Sequence, residues 1–133
     1  MAGELTIVAA DVRPVEIIEQ ITLPAGADID AGTYCRIDSN GKIVKAQATT
    51  LPNCKRGGYA LKSVKAGMPV TLLRKGKIAL GSCLDAIALA TVLYASDTAG
   101  ATATAAGTVS FELGQIEPLW ADKTPLKVLR VDL

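Results

Sequence analysis

Histidine is absent from the 133 residues. With it go the Ser-His-Asp and Cys-His nucleophile–base pairs and most zinc sites, because those chemistries need an imidazole as base or ligand. The remaining soft nucleophiles are Cys35, Cys54 and Cys83, an odd number at wide spacings with no CxxC. Thiolate metal sites and disulfide frameworks draw on paired cysteines, so these three read as reduced thiols, buried or half-buried, in a reducing compartment. Asp28 and Asp30 sit two apart in a loop. Asp38-Ser39-Asn40-Gly41 begins like a calcium loop but lacks the later ligands and the closing Glu, so it reads as a turn. Lys55-Arg56 precede Gly57-Gly58. A phosphate cradle would need a strand before, a helix after and a Lys-Ser/Thr, and that setting is missing, so a solvated surface loop is expected there. Paired carboxylates could cleave sugars, but small β-domains that do so present aromatic platforms, and one Trp and three Tyr are a thin supply. The chain is therefore expected not to be an enzyme, and no catalytic residue, cofactor or metal is assigned to it.

What remains is a framework. Half of the residues are hydrophobic but only 4% are aromatic, so the core must come from Val, Ile, Leu and Ala, which pack on a pleated sheet. The 14 basic and 13 acidic residues are scattered, whereas a nucleic-acid binder needs a clustered basic stripe, so no nucleic-acid partner is expected. Near-neutral charge favours self-association or docking. The longest apolar run, residues 86–95, is about half of what spans a bilayer, so no membrane partner is expected and the protein should be soluble. Met1-Ala2-Gly3-Glu4 lacks a basic n-region, so no signal peptide is expected.

Alternation and turn chemistry predict strands over most of the chain. Residues 4–10 and 15–23 read as strands flanking Pro14, although 16–20 also fit a helix, and together they form an N-terminal arm, residues 1–23, before a single β domain, residues 24–133. Residues 33–46 read as a β-hairpin about Asn40-Gly41, a pair that favours positive φ. Residues 49–58 read as an exposed loop and 59–64 as a strand. A second hairpin is expected over 69–80 with a tight turn at Arg74-Lys75-Gly76-Lys77. A short helical turn at 85–89 precedes a strand at 92–95 and a weak return strand at 101–106. A strand at 109–113, a loop at 117–124 holding Trp120, and a strictly alternating final strand at 126–133 complete the chain.

The segment from Thr33 through Gly41 to Ala46 is echoed by Thr91 through Gly100 to Ala105. Each copy runs strand, Asp/Ser/Gly turn and return strand, and each is expected to be followed by a Gly-led strand and a β-hairpin that ends the half, 70–80 in one half and 126–133 in the other. Two related β units packed as one sandwich or barrel are expected.

Several strings together resemble a known family: Pro24-Ala25-Gly26, Ala31-Gly32-Thr33, Asn40-Gly41-Lys42-Ile43-Val44-Lys45-Ala46, Gly58-Tyr59-Ala60-Leu61, Ala66-Gly67-Met68-Pro69-Val70-Thr71, Val92-Leu93-Tyr94-Ala95-Ser96-Asp97-Thr98-Ala99-Gly100 and residues 125–133. Their order resembles the head decoration, or capsid cement, proteins of tailed bacteriophages, over residues 24–133. The resemblance implies a small β-barrel or tulip-like domain with at most one short helix. It implies a virion protein on the capsid exterior, present in the host cytoplasm during assembly, that binds the major capsid protein and itself, with a homotrimer favoured. It also implies an N-terminal arm that adds a strand to a partner. The partner-binding residues are expected to be Ile7, Val8, Ile17, Ile21 and Trp120. The alternative is a carbohydrate- or small-ligand-binding β module, which would present an exposed aromatic platform or a mouth-like pocket.

Overall fold

A computed structural model describes residues 4–54, 57–84, 87–118 and 127–132. Among them are nine strands: β1 (Arg13–Pro24), β2 (Tyr34–Ile37), β3 (Ile43–Lys45), β4 (Gly58–Ala60), β5 (Pro69–Ala79), β6 (Val92–Ala95), β7 (Thr102–Ala103), β8 (Glu112–Pro118) and β9 (Lys127–Asp132). Single 3-10 turns occur at Ala9–Asp11, Leu51–Asn53 and Gly81–Leu84, and no described helix reaches seven residues. The fold is mainly β, a curled antiparallel half-barrel, as the aliphatic, aromatic-poor composition predicts. The sheet runs β3-β2-β4-β5-β9-β8-β6-β7, with β1 added along β5.

That strand order reads the same from either end when β2, β3, β4 and β5 are exchanged for β6, β7, β8 and β9. The two units expected from the sequence echo are therefore visible as a pseudo-twofold arrangement about the β5–β9 pair. The equivalence extends to single residues. Aligning the echoes on Thr33 and Thr91 sets Cys35 against Leu93. The β4 partner of Cys35 is Gly58, and the β8 partner of Leu93 is Gly114. A Cβ on Gly58 would lie 2.6 Å from the carbonyl oxygen of Leu73, and one on Gly114 would lie 1.9 Å from that of Arg130. Leu73 and Arg130 are themselves equivalent, each facing the residue after the glycine. In both units, then, a missing side chain lets the third strand press against the fourth and the sheet curl.

β5 is the spine. β1 lies along one edge of it from Arg13↔Ala79 to Pro24↔Pro69. Since Leu72 pairs with both Ile21 and Ala60, and Ile78 with both Pro14 and Leu129, β4 and β9 share the opposite edge in succession. This overturns the hairpin expected over 69–80: Arg74–Lys77 is not a turn but part of one continuous strand. Gly76 does take a positive φ, 141°, but there a Cβ would sit 2.1 Å from the carbonyl oxygen of Glu16. It marks a close approach of β1, with register shifts on either side, and ladders on both edges hold the strand through it.

Other expectations shift in detail. The hairpin over 33–46 forms as β2 and β3, with Gly41 at φ 77°. Residues 4–10 make one bridge, Glu4↔Ala103, and then run into the 3-10 turn, with Leu5, Ile7 and Ala9 packing on the core. The aliphatic residues there serve packing instead of a ladder. β1 runs across the 23/24 boundary and accepts Pro14, because an edge strand can spare a donor. β4 stops at Ala60 and β8 starts at Glu112 and continues into Pro118. The 3-10 turn precedes residues 85–89; of these, 87–89 form a bend and the start of a turn, and 85–86 lie outside the described residues. The final strand is locked between β5 and β8, as expected.

Successive residues on β2, β4 and β5 point to opposite faces, and both faces are buried. Tyr34, Tyr59 and Leu73 enter the main core with Leu93, Leu113 and Leu129. Cys35, Ala60 and Leu72 enter a second cluster with Ala25, Ile29 and Val70, flanked by Ile21 and Leu23 of β1. The two ends of the curled sheet are stitched by backbone bonds: Tyr34 N–H to Gly100 O (3.0 Å), Gly100 N–H to Ala46 O (2.8 Å) and Ala48 N–H to Ser96 O (2.8 Å).

Candidate functional site

The surface that combines rigidity with exposed apolar side chains is β1. In the sequence Pro14-Val15-Glu16-Ile17-Ile18-Glu19, Ile17 and Ile18 are adjacent, and in a strand adjacent side chains point to opposite faces. Neither face of this stretch is covered: Val15 is 42% exposed, Ile17 46% and Ile18 58%. Three register shifts against β5, between Pro14 and Glu16, Ile17 and Glu19, and Glu19 and Gln20, turn these side chains away from a regular alternation. No described strand pairs with the outer edge of β1.

The strand is nevertheless held along its length. The Arg13 guanidinium donates to Ala10 O at 2.7 Å and to Val12 O at 2.8 Å. Gly76 admits the backbone at Glu16, and the hydroxyls of Thr22 and Thr71 meet at 2.8 Å. Ile21 and Leu23 then anchor the far end in the second cluster. Beside β1 runs an apolar groove of about 340 Å³, lined by Pro14, Ile17, Gln20, Leu61, Val64 and Val70.

The residues predicted to bind a partner separate by role. Val8 (52% exposed) and Ile17 are at the surface. Ile7 is half-buried over Gly32 and the main core, and Ile21 is half-buried in the second cluster. Trp120 lies outside the described residues. Val15 and Ile18, which are not among those predicted residues, are exposed on the same strand. For Ile18 the sequence signal is the Ile17-Ile18 pair itself, since a strand with one buried face must leave one of the two outside, whereas nothing local marks Val15.

The residues that suggested chemistry are occupied structurally. Asp28 accepts the Ala66 N–H at 2.9 Å with Lys65 at 3.6 Å, and these partners hold its carboxyl below its ordinary range. Asp38 accepts the backbone N–H groups of Lys42 (2.9 Å) and Asn40 (2.8 Å), which lower its pKa and make it a turn cap. Gly57 and Gly58 are buried, not part of a solvated loop. A Cβ on Gly57 would meet Cys35 O at 1.6 Å, so the pair serves close strand approach. Cys35 and Cys54 are buried, and Cys83 is half-buried. Burial raises the Cys35 thiol to about 12. Tyr34 donates to Cys54 O, and the hydroxyls of Tyr59 and Thr102 share a hydrogen bond of 2.7 Å inside the core. Among the described residues no group of three His, Cys, Asp or Glu side chains is placed to hold a metal ion.

On the second unit, the outer face of β6, β8 and β9 is a polar hollow of about 400 Å³ around Glu112, Gln115 and Asp132. Glu117 bridges Lys77 (3.4 Å) and Arg130 (3.6 Å) there, so its carboxylate is already paired on a polar sheet face. Compared with known proteins, the chain matches no family model and no curated sequence.

Proposed function

We propose that this protein is a structural module that docks through β1 onto a larger protein assembly and stabilises it. The assembly is the outer surface of a tailed-bacteriophage capsid, where the module binds the major capsid protein as a homotrimer and clamps neighbouring subunits as a decoration protein. One observation carries the docking: a twelve-residue strand held along its length by β5 leaves Val15, Ile17 and Ile18 in solvent and its outer edge without a described partner. Burying such side chains stabilises a complex by about 25 cal/mol per Å² of apolar surface, and an edge strand adds main-chain hydrogen bonds to a partner strand. The choice of a capsid rests on the resemblance in turn and strand order over residues 24–133. The carbohydrate-binding alternative calls for an aromatic platform. Among the described aromatic residues, Tyr34 and Tyr59 are fully buried and Tyr94 and Phe111 are half-buried, which favours the docking reading.

Deleting residues 1–23 would strip one edge of β5 of its partner strand, so the discriminating variant is Val15→Lys with Ile18→Lys. Both positions are exposed, so the isolated protein should keep its unfolding midpoint, while occupancy on heads assembled without the protein should fall at least tenfold. Unchanged occupancy refutes docking through β1. Solution mass on and off the heads tests the homotrimer.

A further inference from the structure

The chain contains two asparagines, Asn40 and Asn53, and the fold treats them oppositely. Asn40 is exposed at the tip of the β2–β3 hairpin, and its side-chain amide makes no hydrogen bond among the described residues. The next residue, Gly41, has no side chain to shield its backbone nitrogen. It sits at φ 77°, and nothing lies within 4 Å of where a Cβ would be. Its N–H donates to Asp38 O, at 3.1 Å, in an exposed turn. Asn53 is half-buried in a 3-10 turn, its carbonyl accepts the Gln47 N–H at 2.9 Å, and the following nitrogen belongs to buried Cys54 and donates to Leu51 O at 3.1 Å.

We propose that Asn40–Gly41 is a self-modification site in the folded protein, where the Gly41 backbone nitrogen attacks the Asn40 side-chain carbonyl carbon. The new N–Cγ bond closes a succinimide, the Cγ–Nδ2 bond breaks, and the amide leaves as ammonia, taking up the proton that Gly41 nitrogen loses to solvent. Water then opens the ring. Attack at Cγ gives aspartate, and attack at the main-chain carbonyl gives isoaspartate, with one extra carbon in the backbone. Nothing is oxidised or reduced. Either product lowers the formal net charge of +1 by one unit and sets a carboxylate beside Asp38. Isoaspartate also lengthens the tip between the Asp38 and Lys42 hydrogen bonds that close it. The buried Ile43, paired with Ile37, confines the change to the tip.

The test incubates the full chain, native and urea-unfolded, at mildly alkaline pH and follows each asparagine by peptide mass and isoaspartate detection. Because exposed loop tips open at almost no free-energy cost, Asn40 should convert in the native protein within about threefold of its unfolded rate, whereas Asn53 should be slowed by about tenfold or more relative to its own unfolded rate. Asn40→Gln should abolish the gain at the tip. Asp38→Ala, which removes the turn cap, should leave the rate of Asn40 within the same threefold. Protection of native Asn40 by about tenfold, or a comparable acceleration in Asp38→Ala, would show that the closed turn blocks the attack and would overturn the proposal.

Discussion

Replacing Gly114 with Ala tests the central packing device of the fold. The added Cβ would lie 1.9 Å from the carbonyl oxygen and 2.9 Å from the carbonyl carbon of Arg130, with Leu129 Cδ1 at 3.1 Å. The obstacle is backbone, not a side chain that can swing away. Reaching ordinary contact requires β8 and β9 to separate by about 1.5 Å, which stretches a normal N–H···O bond past its useful length. The site is the first of five register pairs, Gly114↔Val131 to Pro118↔Lys127, so the ladder opens from that end. Losing about two ladder bonds at ~1 kcal/mol each, plus ~1–3 kcal/mol of overpacking, gives a destabilisation of ~3–5 kcal/mol. That is a large part of the 5–15 kcal/mol typical of a small domain. Gly58→Ala, with Leu73 O at 2.6 Å, requires a smaller shift and should cost ~2–3 kcal/mol. Gly41→Ala has open space at φ 77° and should cost only the ~1 kcal/mol of a left-handed alanine. Urea unfolding followed by far-UV circular dichroism, with unchanged m-values, would rank them. A Gly114→Ala protein within 1 kcal/mol of the parent, or a Gly41→Ala protein as unstable as Gly114→Ala, would refute the reasoning.

Two further predictions concern titration and thiols. The folded-state pKa values of Asp28, Asp38 and Asp97 are lowered from the ordinary 3.8, chiefly by backbone N–H groups of Ala66, Lys42 and Thr108 respectively. Their contribution is therefore present above the unfolded value and lost as pH falls through the folded ones, so the urea midpoint should drop on acidification below about pH 4. Asp97→Asn should reduce that slope, and a midpoint that holds or rises on acidification would contradict it. A neutral thiol reagent should modify half-buried Cys83 well before Cys35 and Cys54 in the native protein, and all three in denaturant. Equal native rates would exclude the burial of Cys35 that raises its pKa.

The β class, the Asn-Gly hairpin, the locked final strand and the doubling of the chain were legible in the residues, because each is written locally. Aliphatic alternation, a pair that tolerates positive φ and two similar strings need no knowledge of distant neighbours. The misreadings arose where a residue's meaning depends on a strand far away. Gly76 beside Arg74 and Lys75 looks like a turn, and only the arrival of β1 at Glu16 and of β9 at Val131 makes it a point on a continuous spine. Gly57-Gly58 looks like a solvated loop, and only the carbonyls of Cys35 and Leu73 show that it is a contact without room for a side chain. The apolar residues of the first 23 positions were recognisable as adhesive, but their assignment was not. Leu5, Ile7, Ile21 and Leu23 are drawn onto the two cores, whereas Val15, Ile17 and Ile18 are left outside by the bulged register of β1 on β5. Composition and local pattern set which elements form; the pairing of distant strands, through one-residue shifts in register, sets which side chains they bury and which they leave exposed.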